Sequence, residues 1–139
     1  MHAQHNIGVA SRIGTYSDAV EVRYGAEYGG SGGSWLMTAG TPGLAAGGRL
    51  PSDFTAQATL AWENVMRILK DANMGVQDIV KVTHYLIRRS DLEAYLPVRT
   101  RFLDGARPAS MLSFVNGLVW PEMLIELEVI AARSDDHHR

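Results

Sequence analysis

Apolar residues recur along this chain in two rhythms, short β-branched and aromatic runs in some places and three- and four-residue steps in others, which separate strands from helices. Val20-Glu21-Val22-Arg23-Tyr24 and Ser34-Trp35-Leu36-Met37-Thr38-Ala39 read as two strands of a long hairpin, with Gly29-Gly30-Ser31-Gly32-Gly33 between them. Such a glycine cluster resembles a phosphate cradle, but a cradle leads from a strand straight into a helix N-terminus, and this one leads into a strand. It is read as a turn. Residues 41–52 are rich in Gly and Pro, and Ser52-Asp53 then offers capping oxygens for a helix running to about Ala72. Along it Ala58, Ala61, Val65, Ile68, Leu69 and Ala72 form one apolar stripe, with small residues first, of the kind a helix lays closely on a sheet.

After a turn at Asn73-Met74-Gly75, the run from Ile79 to Ile87 has the β-branched content and length of a strand. A second helix is expected from Asp91 to Leu103, with Pro97 moving its start later or bending it. Met111 to Val115 and Met123 to Ala131 complete the pattern as strands, joined by Asn116-Gly117-Leu118-Val119-Trp120-Pro121-Glu122. The order ββαβαββ predicts an α+β subunit, a mostly antiparallel sheet with two helices on one face. The opposite face then needs a cover, and oligomerisation is the obvious one.

Composition narrows what such a subunit does. At 139 residues the chain fits a single domain, and 46% hydrophobic with 20% charged residues is ordinary for a folded protein. The net charge is −2 and no basic run extends beyond Arg88-Arg89, so the footprint of a nucleic-acid binder is missing and a small molecule or protein is the expected partner. The absence of cysteine excludes disulfides, thiolate nucleophiles and cysteine-ligated metals. With neither a signal-peptide pattern at the start nor an apolar run of roughly 18 residues, no membrane partner is expected and the cytoplasm is the expected location.

Four segments, in order and spanning nearly the whole chain, resemble the reactive-intermediate deaminase (Rid, or YjgF) family. Ile13-Gly14-Thr15-Tyr16-Ser17-Asp18-Ala19-Val20 is similar to its IGPYSQAV element, and Leu36-Met37-Thr38-Ala39-Gly40 to the strand ending in SGQ. Gln57 to Leu69 with Asp78-Ile79-Val80-Lys81-Val82-Thr83 resembles its helix and following strand. Arg107-Pro108-Ala109-Ser110, and Gly117-Leu118 with Pro121 to Glu128, resemble the PARS and GLxxPxxLIEIE elements. The resemblance implies a chorismate-mutase-like fold, a homotrimer with ligand clefts at the subunit boundaries, and no metal or organic cofactor.

It also implies site residues. In deaminating members an arginine in PARS binds the substrate carboxylate, and a glutamate in the last strand positions the water that hydrolyses an imine. A guanidinium fork suits a carboxylate, and a partly desolvated carboxyl group suits water. Here Glu126 stands at the glutamate position, Tyr16 at the N-terminal tyrosine and Gly40 at the glycine whose backbone lies against the ligand. Ser110 stands at the arginine position, Ala39 at the family serine and Leu96 at the family asparagine. Alternation along the strand extends Ser110 to Leu112 and Phe114 as an apolar pocket wall. The expected substrate is therefore an imine or enamine other than a short 2-imino acid.

Each candidate has a plainer reading beside it. Glu126 and Glu128 share a strand face that, without the resemblance, is simply acidic surface; with it, Glu126 is functional and Glu128 structural. Arg99, at a position where the family has tyrosine, and Arg107, at the strand entrance, are the arginines placed to replace the lost anchor, although surface arginines are usually solvated. Trp120 is equally suited to closing the cleft and to packing on a neighbouring subunit. His84 is expected to be an ordinary sheet histidine, and His2, His5, His137 and His138 show no metal-ligand spacing. Ser110 is a poor nucleophile candidate, because no His and Asp pair is placed by sequence to activate it. Two function classes follow: an imine or enamine hydrolase or tautomerase using Glu126, and a non-catalytic ligand-binding trimer. Endoribonuclease activity is disfavoured by the charge.

Overall fold

One twisted sheet carries both helices on the same side. The computed structural model describes residues 2–25 and 31–135. Gly29-Gly30 of the expected turn and His137-His138 lie outside the described residues. The strands are β1 (His2–His5), β2 (Ala19–Tyr24), β3 (Gly33–Thr38), β4 (Thr41–Pro42), β5 (Ile79–Leu86), β6 (Ala109–Phe114) and β7 (Ile125–Ser134). The helices are α1 (Phe54–Asp71) and α2 (Leu92–Leu103). The sheet order is β1-β2-β3-β7-β5-β6, with β4 paired to the start of β7. Every pairing is antiparallel except β5 with β6. This is the expected α+β arrangement, with β1 and β4 added.

Alternation on β7 shows why the sheet has an inner and an outer face. Ile125, Leu127, Val129 and Ala131 are fully buried under the helices, while Glu126, Glu128, Ile130 and Ala132 point the other way. The α1 stripe does what its spacing predicts: Ala58, Ala61, Val65, Ile68 and Leu69 are buried. Each large aliphatic side chain buried in this way contributes ~1.5–3 kcal/mol. Asp53 caps α1, its side chain accepting from the Ala56 N–H at 3.0 Å. Asn73 ends the following turn in the left-handed region, with φ 58°.

Pro97 lies inside α2 and does not stop it. Both Pro97 and Glu93, whose carbonyl loses its helical donor, are exposed, so water replaces the missing bond. The outer face divides in two. Its β2–β3–β7 part is apolar, with Val20 beside Met37, Val22 beside Trp35, and Ile130 and Ala132 beyond them. Trp35 and Met37 are 42% and 41% exposed in the single chain. The β7–β5 part is polar, carrying Glu126, Glu128, Tyr85 and Thr83. No described helix is long and apolar enough to cross a membrane.

Candidate functional site

Glu126 opens β7 on the outer face, between Pro42 of β4 and Tyr85 of β5. Its carboxyl group is half-buried and, among the described residues, has no hydrogen-bond partner. Burial, reinforced by the charge of Glu128, raises its pKa above the ordinary carboxylate value. Gly40 lies directly against it: a Cβ at Gly40 would stand 2.6 Å from the Glu126 carboxyl carbon. Tyr16 belongs to the same cluster, its hydroxyl pKa raised by burial and then by the charges of Glu126 and Asp18. Asp18 pins the Tyr16 loop, accepting from the Ile7 and Ala10 N–H groups at 2.8 Å each. Ala39 is half-buried beside Gly40, and its N–H donates to the Asp18 carbonyl at 2.9 Å. Glu128 is exposed and accepts a 3.4 Å bond from the Tyr85 hydroxyl.

Ser110 does not share this face within one chain. The register pairs Val82 with Ser110, His84 with Leu112 and Leu86 with Phe114, which places all three β6 residues on the helix side of the sheet. Leu112 and Phe114 pack against the core there, and the Arg89 guanidinium covers the Phe114 ring at 4.7 Å. Within a single subunit, therefore, Leu112 and Phe114 do not face Glu126. The alternation was right, but the strand's register puts that face against the core. Leu96 is exposed on α2, Arg107 is exposed before β6, and Trp120 is half-buried in the loop before β7, where its carbonyl accepts from Met123 N–H at 3.0 Å.

Beneath Ser110 lies a hydrogen-bonded chain that sequence reasoning missed. Trp62 Nε1–H donates to the Tyr95 hydroxyl at 3.0 Å, Tyr95 meets His84 Nδ1 at 2.5 Å, and His84 Nε2 meets Ser110 Oγ at 2.9 Å. Trp62, Tyr95 and His84 are all fully buried. Burial, then the charge of Arg99, lowers the His84 pKa to about 4; burial also raises that of Tyr95, against the Trp62 bond and Arg99. So a histidine stands beside Ser110, but the third group is a phenol rather than a carboxylate, and the His and Asp pair that would activate the serine is not formed there. Tyr95 and Arg99 share a face of α2 at i and i+4, a spacing that could have raised the question.

Gln57 and Asn64, both fully buried on α1, were also missed as organisers of the site. Gln57 donates to the Pro51 and Glu122 carbonyls at 2.8 and 2.9 Å and accepts from Leu124 N–H at 2.8 Å, fixing the entry to β7. Asn64 donates to the Pro42 and Leu44 carbonyls at 3.0 and 2.9 Å, fixing β4. Far along the sheet, a polar cavity of about 360 Å³ is lined by His5, Glu21, Arg23, Asp71, Arg133 and Asp135 among others. Its charges answer one another: His5 bridges Glu21 and Asp71 at 2.8 and 2.7 Å, and Arg23 pairs with Glu21 at 3.1 Å.

Comparisons with known proteins agree with this architecture. Residues 9–133 match the family model described as Endoribonuclease L-PSP. A RutC family protein of Pyrococcus abyssi is 30% identical over 124 residues, 88% of this chain and 89% of its own. TdcF of Escherichia coli, whose name assigns it provisionally as a reactive intermediate deaminase, is 32% identical over 105 residues, 73% of this chain and 81% of its own. The crystal structure of Escherichia coli TdcF with bound serine is similar with a TM-score of 0.75 at 29% identity, covering 88% of this chain and 91% of that one. RidA from an Antarctic Psychrobacter gives 0.73 at 28% identity, covering 86% and 89%.

Proposed function

From the premise that the chain belongs to the reactive-intermediate deaminase (YjgF/RidA) family matched by the endoribonuclease L-PSP model, we propose that it hydrolyses an imine- or enamine-type small molecule. The carrying observation is Glu126: a half-buried carboxyl group with a raised pKa, unpartnered among the described residues, held against the Gly40 backbone beside Tyr16. A group poised in this way accepts a proton from water as the water oxygen bonds to the carbon of the protonated imine, giving a neutral carbinolamine. Returning that proton to nitrogen, with the hydroxyl proton passing to the Glu126 carboxylate, breaks the C–N bond, releases the amine and leaves a carbonyl compound. An enamine is first protonated at carbon, a tautomerisation the same acid can perform.

Because Ser110 and Glu126 occupy opposite faces of one sheet, a complete cleft requires a second copy to bring the two halves together. The uncovered apolar half of the outer face, with Trp35 and Met37, supports a homotrimer with its small-molecule clefts at the boundaries. With Ser110 where deaminating members carry arginine, the substrate is other than a short 2-imino acid. Ser110, Ala39 and Leu96, all replacing polar positions, favour a second reading in which the trimer binds a ligand without consuming it. The family model's endoribonuclease description finds little support in a net charge of −2.

The test generates 2-iminopropanoate and 2-iminobutanoate in place with an amino-acid oxidase or threonine dehydratase and follows ketoacid release. Little acceleration by the unaltered protein, with a gain in Ser110→Arg that Glu126→Gln abolishes, is the expected result. A Ser110→Arg protein with no gain in activity, correctly assembled, would favour the binding reading.

A further inference from the structure

His5 closes β1, the strand at one edge of the sheet, and sets each of its ring nitrogens on a carboxylate. Nδ1 is 2.7 Å from Asp71 Oδ2 and Nε2 is 2.8 Å from Glu21 Oε1. Carboxylate oxygens only accept, so both nitrogens carry hydrogen and the ring is an imidazolium. The charged groups around it come from three sides: Glu21 and Arg23 from β2, Asp71 with Lys70 and Arg67 from the end of α1, and Arg133 with Asp135 from the end of β7. Arg23 reaches Glu21 at 3.1 Å and Asp135 at 3.5 Å, and Arg133 is bound to the Asn73 carbonyl, so both arginines are engaged away from Asp71. Asp71 is the last residue of α1, where the helix dipole also favours a cation. Burial opposes the His5 charge, but the bonds and charges of Asp71 and Glu21 outweigh it and raise the ring's pKa above 6.5.

The two contacts are unequal. Glu21 is buried and held at its other oxygen by Ser34 Oγ at 2.6 Å and Arg23 at 3.1 Å. The Asp71 side chain is 53% exposed, so water can replace its partner. A ring with a single hydrogen keeps the buried bond and turns a lone pair toward Asp71, so loss of the proton releases β1 from α1. That release reaches the candidate site through the chain that follows. Arg67 and Asp71 lie one turn apart on α1 and grip it at two points: Arg67 Nη2 donates to the Ile7 carbonyl at 3.3 Å, and Asp71 holds His5. The Ile7 and Ala10 N–H groups then donate to the two oxygens of Asp18 at 2.8 Å each, the bonds that pin the Tyr16 loop. Gln4 and Asn6, on either side of His5, line one cavity of about 410 Å³ together with Gly14, Thr15 and Tyr16. The clasped strand end and the Tyr16 loop are thus neighbours in space as well as in sequence.

We propose that His5 is a proton-operated clasp between β1 and α1 that positions the Tyr16 loop, closed while the imidazolium bridges Glu21 and Asp71 and open once the ring is neutral. Rising pH then loosens Tyr16 against Glu126 without any change at Glu126 itself. His5 is a positioning residue, since its ring bonds go to Glu21 and Asp71 and not to Tyr16 or Glu126. The inference rests on the reading above only in taking Tyr16 and Glu126 as the site.

NMR of the unaltered protein from about pH 6 to 9 follows the His5 ring nitrogens, the Tyr16 ring and the exchange protection of the Ile7 and Ala10 amides. One transition shared by His5 and Tyr16 is expected, with its midpoint above the ordinary histidine value and amide protection roughly tenfold lower on its alkaline side. Asp71→Asn should move this transition to lower pH and His5→Gln should abolish it. Glu126→Gln should leave it in place, which separates it from titration of the acid. A His5 ring already neutral at the acid end of the range, or a Tyr16 ring and amides unmoved through the His5 transition, would overturn the clasp. The same coupling in a protein without imine turnover would sustain the clasp and remove the hydrolase reading instead.

Discussion

A carboxyl group and an imidazole, both inside the protein and both shifted from their ordinary pKa, respond to pH in different ways. Glu126 is held above the usual carboxylate value by burial and by Glu128, so its charge opposes folding as pH rises through that raised value. Glu126→Gln should therefore lower turnover by ~10²–10⁴ while leaving the melting temperature unchanged or slightly higher, as calorimetry beside a rate assay would register. His84 is held down at about 4 from 6.5. Its unfolded form binds a proton first, so stability is full above pH 6.5 and ~3 kcal/mol is lost as pH falls toward 4. Urea unfolding of the unaltered protein and His84→Gln across this range should show the difference; parallel curves would refute it. His5 acts with the opposite sign. Burial lowers its pKa, but its bonds to Asp71 and Glu21 outweigh this and raise it, so its contribution is present below pH 6.5 and fades as pH rises through the folded value.

Two nearby glycines mark how the elements carry the site. A Cβ at Gly40 would meet the Glu126 carboxyl group at 2.6 Å, the movable end of a side chain. At Gly43 it would meet the Gln57 backbone carbonyl oxygen at 2.1 Å, part of helix α1. Gly40→Ala should consequently displace the acid and reduce activity at least tenfold with less than about 1 kcal/mol of destabilisation. Gly43→Ala should force β4 away from α1 and destabilise by ~1–3 kcal/mol. Denaturant midpoints and rates measured on both proteins check the contrast, and similar stability losses in the two would contradict it. The arrangement explains why Gln57 and Asn64 are buried on the helix: each satisfies backbone groups of the segments that hold Glu126 in place.

For the whole molecule, the outer face carries the strongest expectation. Trp35 and Met37, adjacent on β3 to Val22 and Val20 of β2, leave an apolar surface that a helix layer does not cover. In the proposed homotrimer this face is the interface, so Trp35→Lys should give a monomer in analytical ultracentrifugation and remove activity with the intact Glu126 still present. A trimer that persists with full activity would place the interface elsewhere.

The sequence by itself determined the elements and the family. Periodicity is a local property, so the α1 stripe, the Asp53 cap and the alternation on β7 were all legible, as was Glu126 through the motif around it. The polar four-residue β1 and the two-residue β4 were not, being too short for a rhythm. Pro97 did not move the start of α2 later, because its cost depends on whether the freed carbonyl meets water. What only the tertiary structure decided was which side of the sheet each alternating strand presents. That depends on pairing register, which turned Leu112 and Phe114 into core contacts and brought His84 to Ser110 across 26 positions of sequence. Hydrogen bonds between distant buried groups leave no periodic trace, because their geometry is set by the packing of several elements at once.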